Sequence, residues 1–352
     1  MSKIFLEFER LKDLNSGLGQ VCYYLGRQFS KILPPGMKVD CWLPKKHKGL
    51  FGPRFHYVSV SRSRLRNYFN LKKSYDIFHC MHQGSKYLPL SKKTSLILTI
   101  HDLNFIFEHA NEKEERLAVL QKKINRASVV VTTSEFTKQE VARHFNIDAK
   151  LIKVIYWGCT IPEDVLPVEP AFALPGKFIF TLGVVVPKKN FHVLIDFLKQ
   201  IPDLTLVIAG LYQSDAGYYQ QIIKRIKELN LEDRVIIPGL ITEAEKIWLY
   251  EHCEAFLLPS LLEGFGLPVI EAMNFGKPVF ISNKTSLPEV GGEEAYYWNS
   301  FDPDDMATRF ITGLKDYKMN SRKAEQIKQW AGQFTWDKTA RQYLDVYQEV
   351  MT

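Results

Sequence analysis

Residues 259–273 read Pro-Ser-Leu-Leu-Glu-Gly-Phe-Gly-Leu-Pro-Val-Ile-Glu-Ala-Met and hold two carboxylates, Glu263 and Glu271, on either side of a glycine-containing loop. An apolar run reading as a strand precedes the loop, and an apolar helical pattern follows it, with Pro268 in the first turn where proline is favoured. Free N–H groups and the positive end of the helix dipole around Phe265, Gly266, Leu267 and Pro268 would attract phosphate. Two carboxylates beside an anion site cannot both serve phosphate. They suit hydroxyl groups, one on a transferred hexose and the other on a nucleotide's ribose. The plainer alternative is a tight turn flanked by solvated acids, but it leaves this joint spacing of glycine, proline and acid unexplained.

Other segments offer complementary chemistry. Gly183-Val184-Val185-Val186-Pro187-Lys188-Lys189-Asn190 ends a strand in a turn with two adjacent lysines. A point charge there suits a diphosphate leaving group, with Lys189 the expected contact and Lys188 the second. Asn15-Ser16-Gly17-Leu18-Gly19-Gln20 lies between a strand and a helix. It lacks the third glycine of a dinucleotide fingerprint, yet its backbone could approach a phosphate. Thr99-Ile100-His101-Asp102 ends an apolar strand, so His101 should project at the carboxyl edge of a sheet, suited to bonding a substrate hydroxyl or moving a proton. A structural histidine is the simpler reading for an isolated one. His79-Cys80-Met81-His82 looks like a fragment of a metal site, but no second ligand cluster accompanies it and no metal is expected. Arg62–Lys73 mixes basic and aromatic residues, as a solvated segment does, or a surface approaching anionic lipid or a lipid-diphosphate acceptor.

Alternating strands and helices must hold these groups. In the first half the spacing predicts strands at 3–8, 38–43, 77–80, 95–100, 128–132 and 152–155, with helical patterns over 19–33, 115–124 and 137–145. Prolines 162, 167, 170 and 175 then cluster without periodicity, as in a linker. A second series follows, with strands at 178–182, 205–209, 235–237, 255–258 and 278–282 and helices at 192–200, 217–229, 242–250 and 267–275. The expected organisation is an N-terminal domain over 1–165, a donor-binding domain over 166–335, and a terminal helix over 336–352 packing back on the N-terminal domain. The class is α/β with parallel sheets. A cleft between two such domains is a natural ligand site.

The 352 residues exceed what one core usually serves, and 46% hydrophobic with 24% charged residues is ordinary for a globular protein. The net charge of +7 is spread along the chain, too diffuse to imply nucleic acid but compatible with phosphates or weak contact with an anionic membrane. Five scattered cysteines without a CxxC pair imply reduced intracellular thiols. Charges near the N-terminus interrupt any signal-peptide pattern, and no apolar run is long enough to span a bilayer, so a cytoplasmic location is expected.

Taken together the chain resembles the retaining glycosyltransferases of family 4, which have the GT-B fold of two Rossmann-like domains. The likeness extends over nearly the whole chain. It is strongest over Phe256–Glu294, with the Glu263-x7-Glu271 spacing, Gly276-Lys277-Pro278-Val279 and Ser286-Leu287-Pro288-Glu289-Val290. The layout is most similar to bacterial mannosyltransferase-like members that build O-antigen and other surface polysaccharides. The resemblance implies that Glu271 binds ribose and that Glu263 holds the transferred sugar. It implies that Lys189, the Phe265–Pro268 backbone, Gly183 and the Gly17–Gly19 turn hold the diphosphate, and that His101 contacts the donor sugar near its anomeric carbon. It further implies a nucleotide-sugar donor, GDP-mannose or a UDP-hexose, and a glycan or lipid-diphosphate-linked saccharide acceptor, reached without a metal or other cofactor and possible at the inner membrane face. Where many members have Arg after the glycine, this chain has Val184, so a second charge on the diphosphate comes from Lys188 or another residue, or is missing. Two other functions fit the same fold: an epimerase of UDP-N-acetylhexosamine, and a non-catalytic sugar-nucleotide-binding partner. A nicotinamide oxidoreductase is disfavoured by the absence of a full GxGxxG with a downstream acid.

Overall fold

A computed structural model of the chain describes residues 2–14, 16–59, 73–108 and 112–351. Its contacts divide it into two compact units, Met1–Gly158 with Phe334–Thr352, and Cys159–Gln333.

In the first unit the chain runs β1 (Lys3–Glu7), α1 (Gly17–Ile32), β2 (Lys38–Leu43), β3 (Phe55–Ser59), β4 (Ile77–Cys80) and β5 (Ser95–Ile100), then α2 (Phe105–Glu108), α3 (Lys113–Ile124), β6 (Val129–Thr132), α4 (Glu135–His144) and β7 (Ile152–Val154). The seven strands form one sheet in the order β3-β2-β1-β4-β5-β6-β7, and every pairing is parallel. Parallel strands need crossover connections that cover both faces, so their interiors read as unbroken apolar runs. Ile4, Phe5 and Leu6 of β1 are all fully buried, and Phe5 stacks on Phe78 with ring centroids 4.6 Å apart.

The second unit contains β8 (Phe178–Leu182), α5 (Val193–Lys199), β9 (Thr205–Ala209), α6 (Ala216–Glu228), β10 (Val235–Gly239), α7 (Glu243–His252) and β11 (Ala255–Leu258). These are followed by α8 (Leu267–Asn274), β12 (Val279–Ser282), α9 (Leu287–Gly291), β13 (Tyr296–Trp298), α10 (Pro303–Met319) and α11 (Lys323–Ala331). Its sheet, again parallel throughout, has the order β10-β9-β8-β11-β12-β13. The final helix α12 (Trp336–Met351) belongs to the first unit. It packs on α1 and β4 through a Tyr24–Trp336 stack at 5.7 Å, a Gln28–Asp337 hydrogen bond of 2.8 Å, and a buried bond of 2.7 Å between Tyr347 and His79.

Each sheet reverses direction once. In the first the chain builds outward from β1 to β3 and returns to the other side of β1 with β4. In the second it builds from β8 to β10 and returns beside β8 with β11. The reversal leaves a crevice at the carboxyl ends of the two diverging strands, which is where ligands bind in open parallel sheets. The loops after β1 and β4, and those after β8 and β11, therefore occupy the two privileged positions. The predicted strands agree with the observed ones to within about two residues, but β3, β13, α2, α9, α10 and α11 are additional. All five cysteines are free.

Candidate active site

The loops after β8 and β11 are tied together side by side. Leu261 donates its backbone N–H to the Lys188 carbonyl at 2.7 Å, and the Lys189 ammonium meets the Glu263 carboxylate at 2.6 Å. Both side chains are mostly buried, 14% and 12% exposed, so removing either partner would leave the other charge enclosed and unpaired. A third loop holds Glu263 from the other side. The Ser286 hydroxyl donates to the carbonyls of Glu263 and Phe265 at 3.1 and 3.0 Å, and the Glu263 N–H donates to Thr285 Oγ1 at 3.1 Å. Helix α8 then starts at Gly266, whose φ of 113° suits glycine, and a Cβ there would lie 2.9 Å from Leu287 Cδ2. Pro268 follows in the first turn. Gly183, at the end of β8, and Lys188 lie on the facing loop, and Val184 is exposed.

Glu271, on the fifth residue of α8, has both oxygens engaged. Lys246 Nζ donates to Oε1 at 3.1 Å, and the Tyr250 hydroxyl donates to Oε2 at 2.9 Å. Lys246 also meets Glu243 at 3.0 Å. Burial alone would lower the Lys246 pKa, but Glu271 first and Glu243 second outweigh it and hold it well above the ordinary lysine value. Burial, then the Glu271 charge, pushes the Tyr250 hydroxyl up as well, so it stays a donor. Lys246 and Tyr250 were not among the expected site residues. Their positions in α7 are one helical turn apart, and the Thr242–Glu245 capping box starts that helix. The signal that they face Glu271 lies in contacts 25 and 21 residues distant in sequence.

In the first unit, the end of β1 and the loops after β1, β4 and β5 gather Glu7, Arg10, His82 and His101. His101 follows β5 directly, yet its side chain is 2% exposed rather than projecting outward. The ring is enclosed by His82 at 5.8 Å and Trp157 at 5.1 Å between centroids, and its Nε2 donates to the Met81 carbonyl. That bond fixes the tautomer and leaves Nδ1 as a bare acceptor, buried and without a hydrogen-bond partner. Burial lowers its pKa to about 4, with Arg10 contributing. His82 Nδ1 accepts from Arg10 and from the Gly84 N–H, each at 2.9 Å, and burial, then His101 and Arg10, lower its pKa to about 2. Glu7 is also enclosed. Burial chiefly, then Glu9, raises its pKa to about 8, and Oε2 has no partner.

The Gly17–Gly19 turn is the first turn of α1, capped by Ser16, whose Oγ already accepts the Gly19 N–H at 3.1 Å. Of the three expected phosphate donors there, the Gly19 N–H is thus engaged within the turn. Gly19 is required sterically, since a Cβ would sit 1.8 Å from the Asp13 carbonyl oxygen. His79 is buried and bonded to Tyr347 and to Thr99 at 2.8 Å, a structural placement. In the basic–aromatic segment 62–73, all residues but Lys73 lie outside the described ones.

Comparison with known proteins gives the geometry a lineage. Residues 18–161 match the family described as Glycosyltransferase Family 4, and residues 165–330 match Glycosyl transferases group 1. The O-antigen chain mannosyltransferase B of Escherichia coli is 26% identical over 284 residues, covering 76% of this chain and 73% of that protein. The serotype-specific mannosyltransferase WbdA of Escherichia coli is 30% identical over 232 residues, 61% of this chain but only 28% of WbdA. Among solved structures, Anabaena Alr3699/HepE in complex with UDP and glucose superposes with a TM-score of 0.78 at 20% identity, over 98% of this chain and 99% of that one. Sucrose-phosphate synthase from Thermosynechococcus elongatus gives 0.77 at 19%, over 99% of each chain. The two Rossmann-like units are those of the GT-B fold.

Proposed function

The chain belongs to the family 4 glycosyltransferases, and we propose on that premise that it transfers a hexose from a nucleotide-diphospho-sugar to a glycan or lipid-linked acceptor with retention of configuration. The observation that carries this reading is the Lys189–Glu263 pair of 2.6 Å, set beside the N-terminus of α8 where the sheet reverses. Cation, carboxylate and helix terminus together supply what a sugar diphosphate needs: charge for the phosphates and an acceptor for sugar hydroxyls. The mannosyltransferase names of the relatives favour GDP-mannose as donor over a UDP-hexose.

In this proposal Lys189, the first turn of α8 at Phe265–Pro268, Gly183 and Lys188 hold the diphosphate, and Glu271 accepts the ribose hydroxyls. Glu263 accepts hydroxyls of the transferred hexose and shares Lys189 with the phosphate. His101 offers Nδ1 to a sugar hydroxyl, a proton donor that would satisfy its bare lone pair. The N–H groups of Gly17 and Leu18 are assigned to phosphate. Lysine and backbone dipoles stabilise the leaving phosphate in place of a divalent metal. The departing phosphate helps deprotonate the acceptor hydroxyl on the same face. The described helices include none long and apolar enough to cross a membrane, and a weak peripheral association with anionic lipid on the inner face is proposed from the net charge of +7.

A thermal-shift panel of UDP, GDP, ADP and their sugar conjugates tests the reading. Ligand at about 100 times its Kd should stabilise by about 2.7 kcal/mol. GDP and GDP-mannose are expected to give the largest shift. Stabilisation by none of these ligands would refute the proposal.

A further inference from the structure

We propose that Lys246 and Tyr250 are positioning residues that preset the Glu271 carboxylate to accept both hydroxyls of a ribose cis-diol, making the site selective for ribonucleotides over deoxyribonucleotides. The inference rests on the reading of Glu271 as the ribose acceptor and adds what makes that acceptor specific.

A glutamate side chain has three rotatable bonds, and an unrestrained one in a helix would have to be ordered each time ligand bound. Here it is ordered in advance by two donors of different kinds, one on each oxygen: Lys246 at 3.1 Å and Tyr250 at 2.9 Å. Neither donor is itself free to swing. The Tyr250 ring is fully buried, stacked on Phe275 at 5.6 Å and edge-on to Phe180 at 5.2 Å. The Lys246 ammonium is held by Glu243 as well, and Glu243, Lys246 and Tyr250 share one face of α7.

A carboxylate has about four lone-pair positions, two on each oxygen. Lys246 and Tyr250 take one from each, so each oxygen keeps one. Two acceptor positions on a planar group match the spacing of two adjacent hydroxyls, and a single hydroxyl would leave one position empty. The Glu271 side chain remains 18% exposed, so the group is reachable from solvent. A plain structural tie between α7 and α8 would need neither a charged partner nor this division of donors between the two oxygens.

Calorimetric titration of the full chain with GDP and UDP, each against its 2′-deoxy counterpart, tests the proposal in wild type, Glu271→Gln, Lys246→Met, Lys246→Arg and Tyr250→Phe. Wild type is expected to prefer the ribonucleotide by roughly ten- to hundred-fold, the effect of one hydrogen bond to a charged acceptor. Lys246→Met and Tyr250→Phe should each cut that preference to within about three-fold, and Lys246→Arg, which still donates, should restore most of it. Tyr250→Phe keeps the ring packing, so it stays informative if Lys246→Met fails to fold. Loss of the preference in Glu271→Gln with its retention in Lys246→Met and Tyr250→Phe would overturn the positioning role and leave the ribose reading standing. No preference in wild type would overturn the ribose reading, and this inference with it. No binding of either diphosphate would refute the proposed function itself.

Discussion

Replacing Glu7 by Gln should change how stability depends on pH, by an amount the structure sets. Glu7 ends β1 with its carboxyl enclosed and Oε2 unpartnered, and burial raises its pKa from 4.5 to about 8. Below pH 4.5 folded and unfolded chains both carry the proton, so the group adds no pH dependence. Between pH 4.5 and 8 the unfolded chain releases it while the folded chain keeps it, and stability falls as pH rises. Above about 8 the folded chain ionises too and the loss stops growing. At about 1.4 kcal/mol per pH unit the displacement amounts to about 5 kcal/mol. Glutamine cannot ionise and keeps a carbonyl oxygen for the Glu9 N–H, which lies 3.2 Å from Oε1 in the wild type. Its buried NH2 group adds a roughly constant cost of about 1–3 kcal/mol at every pH. Urea unfolding of both proteins, measured from pH 4.5 to 8.5, should therefore show the variant gaining on wild type by about 5 kcal/mol across the range. Parallel curves would refute the assignment of a protonated, enclosed Glu7.

Lys189→Met leaves the Glu263 carboxylate mostly buried and unpaired, and should cost about 3–5 kcal/mol of stability in denaturant titration while abolishing the thermal shift from nucleoside diphosphates. Gly266→Ala forces a side chain into the left-handed region against Leu287, and should lower the melting temperature by the equivalent of about 1–3 kcal/mol, visible by calorimetry. Burial holds His79, His82 and His101 neutral with pKa values of about 3, 2 and 4 against an ordinary 6.5, so the unfolded chain binds their protons first. Stability from these three should begin to fall as pH drops below about 6.5 and keep falling towards pH 4, which acid titration by circular dichroism would record; His79→Gln should shallow that slope.

The buried strands were legible because parallel sheets covered on both faces leave continuous apolar runs, as in Lys3–Glu7 and Ser95–Ile100. Two of the edge strands were not. Phe55–Ser59, at one edge of the first sheet, intersperses His56 and Ser59 among its apolar residues, and Tyr296–Trp298, at one edge of the second sheet, is only three residues long. Helix α10 carried readable start signals, Asp302 as cap with Pro303, Asp304 and Asp305 in the first turn. Of the site, the positions of Lys189, Glu263 and Glu271 on loop and helix ends followed from glycine and proline placement. Their partners did not, since sequence spacing cannot show that Lys189 and Glu263, 74 residues apart, meet each other, or that Lys246 and Tyr250 close on Glu271. The enclosure of His101 was equally hidden, because Trp157 and Met81 reach it from other strands' ends.

Sugar transfer at the Glu263–Lys189 site is the proposed function. The most direct measurement is nucleoside diphosphate release from GDP-mannose and from UDP-glucose, with and without a lipid-diphosphate-linked oligosaccharide ending in mannose, followed by mass spectrometry of the acceptor. Release that depends on acceptor, an acceptor heavier by one hexose, and turnover reduced by roughly 100-fold or more in Glu263→Ala are the predicted results. Unchanged turnover in Glu263→Ala, or donor consumed with no sugar added to the acceptor, would contradict it.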